Sequence, residues 1–94
     1  VQIGKNCVIA AQVGIAGSTI IEDNVTLAGQ VGIIGHLKIS AGSTVAAKSA
    51  VFQSLKQNSF VSGTPARNHK DRLRQDVVIN KLPKLLSRIR KLEK

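Results

Sequence analysis

An aliphatic residue returns at every sixth position from Ile3 to Val51: Ile3, Ile9, Ile15, Ile21, Leu27, Ile33, Ile39, Val45 and Val51. A period of six does not match the 3.6 residues of a helical turn. It is a multiple of the strand period of two, so it admits short extended segments joined by turns. A second row recurs four places after each ladder residue, as Cys7, Val13, Thr19, Val25, Val31, Leu37, Ser43, Ser49 and Leu55, mostly small or β-branched and suited to face inward as well. The position just after the ladder residue is small in most hexads (Gly4, Ala10, Ala16, Ala28, Ser40, Ala46), as expected where a chain turns a tight corner. Hexads of this kind predict a parallel β-helix. If three hexads form one triangular coil, residues 18 apart stack at about 4.8 Å. Ile3, Ile21 and Ile39 then share one inner edge, Ile9, Leu27 and Val45 a second, and Ile15, Ile33 and Val51 the third.

The fold class is therefore mainly β, with about three coils over residues 1–62 and an exit loop with basic helices over 63–94. The sixfold spacing fails at Gln57, which is expected to end the regular prism, with Phe60 and Val61 covering its open top. Gly63-Thr64-Pro65-Ala66 supplies a sharp exit. From Arg67 the period changes: Leu73, Val77, Val78 and Leu82 fall on a helical stripe, and Pro83 is placed to open a second helix carrying Leu85, Leu86, Ile89 and Leu92. Two short amphipathic helices are expected. Such helices are marginal alone in water, and the same helix from a symmetry mate is the simplest partner.

Ninety-four residues make one small domain, and with only Phe52 and Phe60 as aromatics its core must be aliphatic. Ladder burial by itself falls short of the entropy lost in ordering the coils. The second inward row, coil-to-coil hydrogen bonds and subunit association are expected to supply the rest. The net charge of +9 is uneven: up to Ser62, four lysines face Glu22 and Asp23, whereas beyond it ten basic residues face three acidic ones. A basic tail suits nucleic acid, anionic lipid, an acidic protein or plain solvation. The tail has no aromatic residues on which bases could stack, so no nucleic-acid partner is assigned. A single cysteine on the inward row, Cys7, excludes an internal disulfide and fits a reducing compartment. No run reaches the ~18 apolar residues of a membrane span. No signal peptide is expected, and Val1 in place of Met suggests a chain cut from something longer.

Acid–base candidates are few: His36, His69, Glu22, Asp23, Asp71, Asp76 and Glu93. His36 falls at an outward hexad place, with Ser18 one coil below and Ser54 one coil above by the same spacing. An outward histidine also suits simple solvation. Gly17 and Gly35 should stack nearby and leave backbone amides approachable. The two histidines provide no metal-ligand cluster, so no metal is assigned. Ser-His-Asp sets, Walker loops and paired cysteines are absent.

The runs Val1-Gln2-Ile3-Gly4, Ala11-Gln12-Val13-Gly14-Ile15-Ala16-Gly17-Ser18, Gly29-Gln30-Val31-Gly32, Gly35-His36-Leu37 and Gly63-Thr64-Pro65-Ala66-Arg67 together resemble the C-terminal part of the UDP-3-O-acylglucosamine N-acyltransferases. The resemblance implies a left-handed parallel β-helix and a homotrimer with active sites in grooves between neighbouring prisms. It implies transfer of a 3-hydroxyacyl chain from acyl carrier protein to the 2-amine of UDP-3-O-acyl-glucosamine, in lipid A biosynthesis. No cofactor is bound; the 4'-phosphopantetheine of the carrier is the donor arm.

The family's general base is the histidine of a His-Asn-Val-Gln-Ile pattern, which would lie two positions before Val1. The uridine-holding domain would also precede this segment, so the chain is expected to be inactive alone. One coil above the base, Gly17 matches the oxyanion amide, and His36 matches a second groove histidine that assists donor binding. Gly35, Ala50 and Phe52 complete the expected donor groove, with Ala50 and Phe52 where an acyl chain would end. Arg67, His69, Lys70, Arg72 and Arg74 form the expected carrier-binding patch. Two rivals stay open, an acetyl-CoA-dependent hexapeptide acyltransferase and a non-catalytic trimerisation scaffold.

Overall fold

The computed structural model describes residues 1–93; Lys94, the last residue of the expected tail, lies outside the described residues. Nine two-residue strands come first: β1 (Gln2–Ile3), β2 (Val8–Ile9), β3 (Gly14–Ile15), β4 (Ile20–Ile21), β5 (Thr26–Leu27), β6 (Gly32–Ile33), β7 (Lys38–Ile39), β8 (Thr44–Val45) and β9 (Ala50–Val51). They stack in parallel as β1-β4-β7, β2-β5-β8 and β3-β6-β9, the three walls of a β-helix of about three coils. The register pairs Ile3 with Ile21 and Ile39, Ile9 with Leu27 and Val45, and Ile15 with Ile33 and Val51, the stacking expected from three hexads per coil.

Burial follows the two inward rows. Ile21, Leu27, Ile39, Val45 and Val51 are closed to solvent, as are Thr19, Val25, Val31, Ser43 and Ser49 of the second row. Hydroxyls in such a core need partners. Thr19 Oγ1 donates to the Ile34 carbonyl at 2.9 Å, Ser43 Oγ donates to the Lys56 carbonyl at 3.0 Å, and Ser49 Oγ accepts from the Gly63 amide at 3.0 Å.

The corners sit further along the hexad than the small residues suggest. The third residue after most rungs takes a left-handed conformation: Asn6, Gln12, Ser18, Asn24, Gln30, His36, Lys48 and Asn58 have φ between 57° and 63°. Only Gly42 among these corners is glycine. The strain is offset by a repeated bond in which the left-handed residue donates its amide to the corner carbonyl one coil below, as Asn24 does to Lys5 at 2.9 Å and Gln30 to Ala11 at 3.0 Å.

The prism does not end at Gln57. After Val51 the coil drops two residues, so Leu55 bridges to Ile39, and β10 (Phe60–Ser62) pairs in parallel with β8 through Phe60 with Thr44 and Val61 with Val45. Leu55 is thus a rung and not part of the second row, and Val61 is the buried rung after it. In place of a normal corner stands Phe52-Gln53-Ser54, whose Ser54 Oγ accepts from the Lys38 amide at 3.0 Å. Ser54 therefore overlies Lys38 and not His36. Of the two residues expected to cover the core, only Val61 does so, since Phe60 points outward.

A turn leads to β11 (Arg67–Asn68), antiparallel to β10, so Arg67 is extended and not helical. The helix α1 (His69–Leu92) starts where Asn68 Oδ1 accepts from the Lys70 amide at 3.1 Å and from the Asp71 amide. The tail is one helix and not two, with Pro83 inside it. Pro83 lacks the amide that would bond the Ile79 carbonyl. All residues around it are exposed, which leaves that carbonyl to water, and Leu82, Lys84, Leu85 and Leu86 are strong helix formers. No residue of α1 is buried. Among the described residues no helix is long and apolar enough to cross a membrane.

Candidate functional site

The β3-β6-β9 wall differs from the others in what it turns outward. Its register aligns Gly14, Gly32 and Ala50, and a Cβ placed on either glycine would meet nothing within 4 Å. Beside this bare strip run Ala16, Ile34 and Phe52, each one place after a rung. Together they border an open groove of about 540 Å³, completed by Gly35 at its edge. The lining side chains grow from Gly14 and Ala16 at one end to Ala50 and Phe52 at the other. The surface is almost wholly apolar and offers little to hold a charge.

Of the expected donor residues, Gly35, Ala50 and Phe52 line this groove, and His36 and Gly17 stand at its corner. Gly17 and Gly35 do stack: the His36 amide donates to the Gly17 carbonyl at 3.2 Å. A Cβ on Gly35 would lie 2.8 Å from that oxygen, so the close approach of the two coils requires glycine there. Gly17 itself has open space around its Cα. Among the described residues its amide donates to no backbone carbonyl, which leaves it available to a ligand. His36 takes the left-handed corner conformation with φ 63° and its ring is exposed.

The exit loop brings the basic tail to the upper end of the same wall. The Ala50 amide donates to the Gly63 carbonyl at 3.0 Å and the Ala66 amide donates to the Ala50 carbonyl at 2.7 Å. The five expected carrier-binding residues then divide. The Arg67 guanidinium donates to the Pro65 carbonyl at 2.8 Å and to Gln75 Oε1, and Arg72 pairs with Asp76 at 3.0 Å. His69 is engaged on two sides: Nδ1 lies 2.9 Å from the buried Ser62 Oγ, and the ring stacks on Phe60 at 4.4 Å and 16°. Lys70 and Arg74 project from exposed turns of α1. His69 thus ties the helix to the prism, a contact that the sequence left unmarked.

The groove residues absent from the expected site are Gly14, Ala16, Gly32 and Ile34, with the rungs Ile15 and Ile33 beneath them. The signal was present, because each glycine immediately precedes a rung and the two are 18 residues apart, like Ala50 after them. Glycine at an outward strand position has no packing reason, and a column of such positions marks a face kept clear.

No family model matches the chain. Curated relatives do. The chain is 54% identical over 94 residues to a UDP-3-O-acylglucosamine N-acyltransferase of Prochlorococcus marinus (strain MIT 9515), covering 100% of this chain and 27% of the relative. It is 55% identical over 91 residues to the enzyme of that name from Thermosynechococcus vestitus, covering 97% and 27%. The counterpart from Methylacidiphilum infernorum is 55% identical over 92 residues, covering 98% and 26%. The chain thus spans about a quarter of the length of these relatives, a share consistent with their C-terminal part. With hexads, exit loop and tail all inside the matched stretch, the chain belongs to the UDP-3-O-acylglucosamine N-acyltransferase family.

Proposed function

We propose that this segment is the acyl-donor side of an N-acyltransferase that moves a 3-hydroxyacyl chain from acyl carrier protein to the 2-amine of UDP-3-O-acyl-glucosamine, acting as a homotrimer in the cytoplasm. The observation that carries this reading is the bare apolar strip of Gly14, Gly32 and Ala50 beside the Gly17–His36 corner. Acyl transfer to an amine needs a base for the nucleophile and a donor for the tetrahedral oxyanion. In this reading the Gly17 amide is the oxyanion donor. His36 steadies the 4'-phosphopantetheine arm at the groove mouth. The acyl chain lies along the strip toward Ala50 and Phe52, which set the length it can reach. The base is the family histidine two positions before Val1, so the segment by itself has no turnover.

Carrier proteins of this kind are acidic, and Lys70 and Arg74 are exposed cations on the first turns of α1 that make no ion pair among the described residues. Arg67 and Arg72 contribute field while held by their own partners, and His69 contributes position. Attraction of this sort is screened over ~10 Å at 0.1 M salt and ~3 Å at 1 M.

The test uses the full enzyme containing this segment and a series of carrier-bound 3-hydroxyacyl donors. Gly32→Leu fills the strip from a position with open space, so folding is spared. Transfer of long acyl chains should fall at least ~10-fold. An unchanged rate across the series overturns the groove assignment. Binding of coenzyme A with none of the carrier protein would favour an acetyl-CoA-dependent enzyme.

A further inference from the structure

Four cations in the second half of α1 fall on one line. Lys81, Lys84, Arg88 and Lys91 are spaced by three, four and three residues, so at about 100° per residue they share one helix face, with a charge roughly every 5 Å. All four are exposed and none makes an ion pair among the described residues, where the helix's own pair joins Arg72 to Asp76 on another face. None of the acidic residues Asp71, Asp76 and Glu93 lies on the line. It is turned about 110° from the apolar stripe of Val78, Leu82, Leu85 and Ile89, so the two faces can be covered independently. A helix of 24 residues is about 36 Å long, more than the 22 × 21 Å cross-section of the molecule, so α1 and its line of charge run along the 60 Å axis. From Arg74 the four cations lie about 10 to 26 Å along the helix, at or beyond the ~10 Å over which charges act at about 0.1 M salt. They therefore contribute little to attraction at the groove mouth.

We propose that this line of cations docks the second half of α1 lengthwise on an anionic lipid surface. Charge complementarity selects the occupant. Three of the four are lysines, compact hydrated point charges that lack the planar fork with which arginine reads a fixed carboxylate, and they suit mobile headgroups that gather beneath them. Between Lys81 and Lys91 the face carries no amide, hydroxyl or aromatic group with which to read a shaped protein surface or a base. A straight row of charge on an exposed helix matches a flat surface along its whole length. Each cation held near such a surface raises partition about fivefold. Under the proposed function the product bears two acyl chains and is suited to a bilayer, so docking would shorten its path there. That destination rests on the proposed function; the attraction itself does not.

The test uses the full chain and co-flotation with vesicles of phosphatidylcholine containing about 30% phosphatidylglycerol. At about 0.1 M salt the chain should partition at least ~50-fold more strongly onto these than onto phosphatidylcholine alone, and ~10-fold less strongly at about 0.5 M salt. Lys84→Gln with Lys91→Gln preserves helix propensity and should lower binding about 20-fold. Lys5→Gln with Lys56→Gln removes the same charge from exposed positions on the prism and should lower it less than about threefold. Equal losses from the two pairs assign the binding to net charge and overturn the line as its site. Absence of any preference for anionic vesicles, or binding indifferent to salt, overturns the electrostatic docking. Capture of acidic carrier protein that is lost with Lys84→Gln and Lys91→Gln, while vesicles are ignored, gives the line to a protein and overturns the lipid surface. No arm of the experiment involves the groove, so failure here leaves the acyl-transfer test standing, and failure there leaves this one.

Discussion

The prism and the helix solve opposite problems with the same kinds of side chain. Between Thr19 and Val61 the aliphatic residues of every rung but the half-buried Leu55 are buried and the inward hydroxyls are bonded, so this region is stabilised from within. Along α1, Leu and Ile residues of the same size are all exposed, and only the first turns touch β10 and β11. A hydrophobic residue contributes to stability only through what covers it. The contrast teaches that the prism's sequence is explained by its own coils, whereas that of the helix calls for a surface outside the single chain.

The sharpest way to break this contrast is to truncate one residue of each region. Leu27→Ala removes a side chain with no exposed area and should cost about 2–5 kcal/mol in urea unfolding. Leu82→Ala in dilute monomeric chain should cost less than about 0.5 kcal/mol. Equal losses would mean that the helix face is already covered within one chain.

Next in size is the corner that separates fold from chemistry. Gly35→Ala drives a methyl group against the Gly17 carbonyl and should destabilise by about 1–3 kcal/mol, read from the thermal midpoint. His36→Asn keeps a residue tolerant of the left-handed corner. It should leave that midpoint within about 2 °C of the native chain's. In the full enzyme the same change should still lower acyl transfer. Unchanged transfer would reduce His36 to a turn residue.

A smaller effect tests the joint between the two regions. Ser62→Ala removes the partner of His69 Nδ1 and should cost about 1 kcal/mol, with faster amide exchange in the first turn of α1 than in the coils. The smallest is Asp76→Ala, which breaks an exposed pair with Arg72 one turn away and should cost about 0.3–0.5 kcal/mol. A loss several times larger would show that Arg72 anchors the exit loop and is not merely a surface charge.

The coil architecture was legible in the sequence because an aliphatic rung recurs at nine successive sixth positions, and these nine rungs pair at a constant 18 residues along the chain. Irregular places were misread. The expected end at Gln57 follows from assuming hexads, whereas the coil shortens by two and continues through Leu55 and Val61. The split helix follows from Pro83, whose effect depends on whether the freed carbonyl is buried or wet. Gly35, Ala50 and Phe52 were placed in the groove by family resemblance. Gly14 and Gly32 were passed over because an absent side chain announces nothing until its neighbours are known.

From the sequence alone came the rung positions, the two inward rows, the uneven charge and the family, because each is carried by residue type and spacing along the chain. Tertiary structure decided the corner residues, the two-residue shortening, the His69 tie to Ser62 and Phe60, and which wall stays bare. Those depend on contacts between coils, where a carbonyl or a Cβ from a distant hexad sets what space is left.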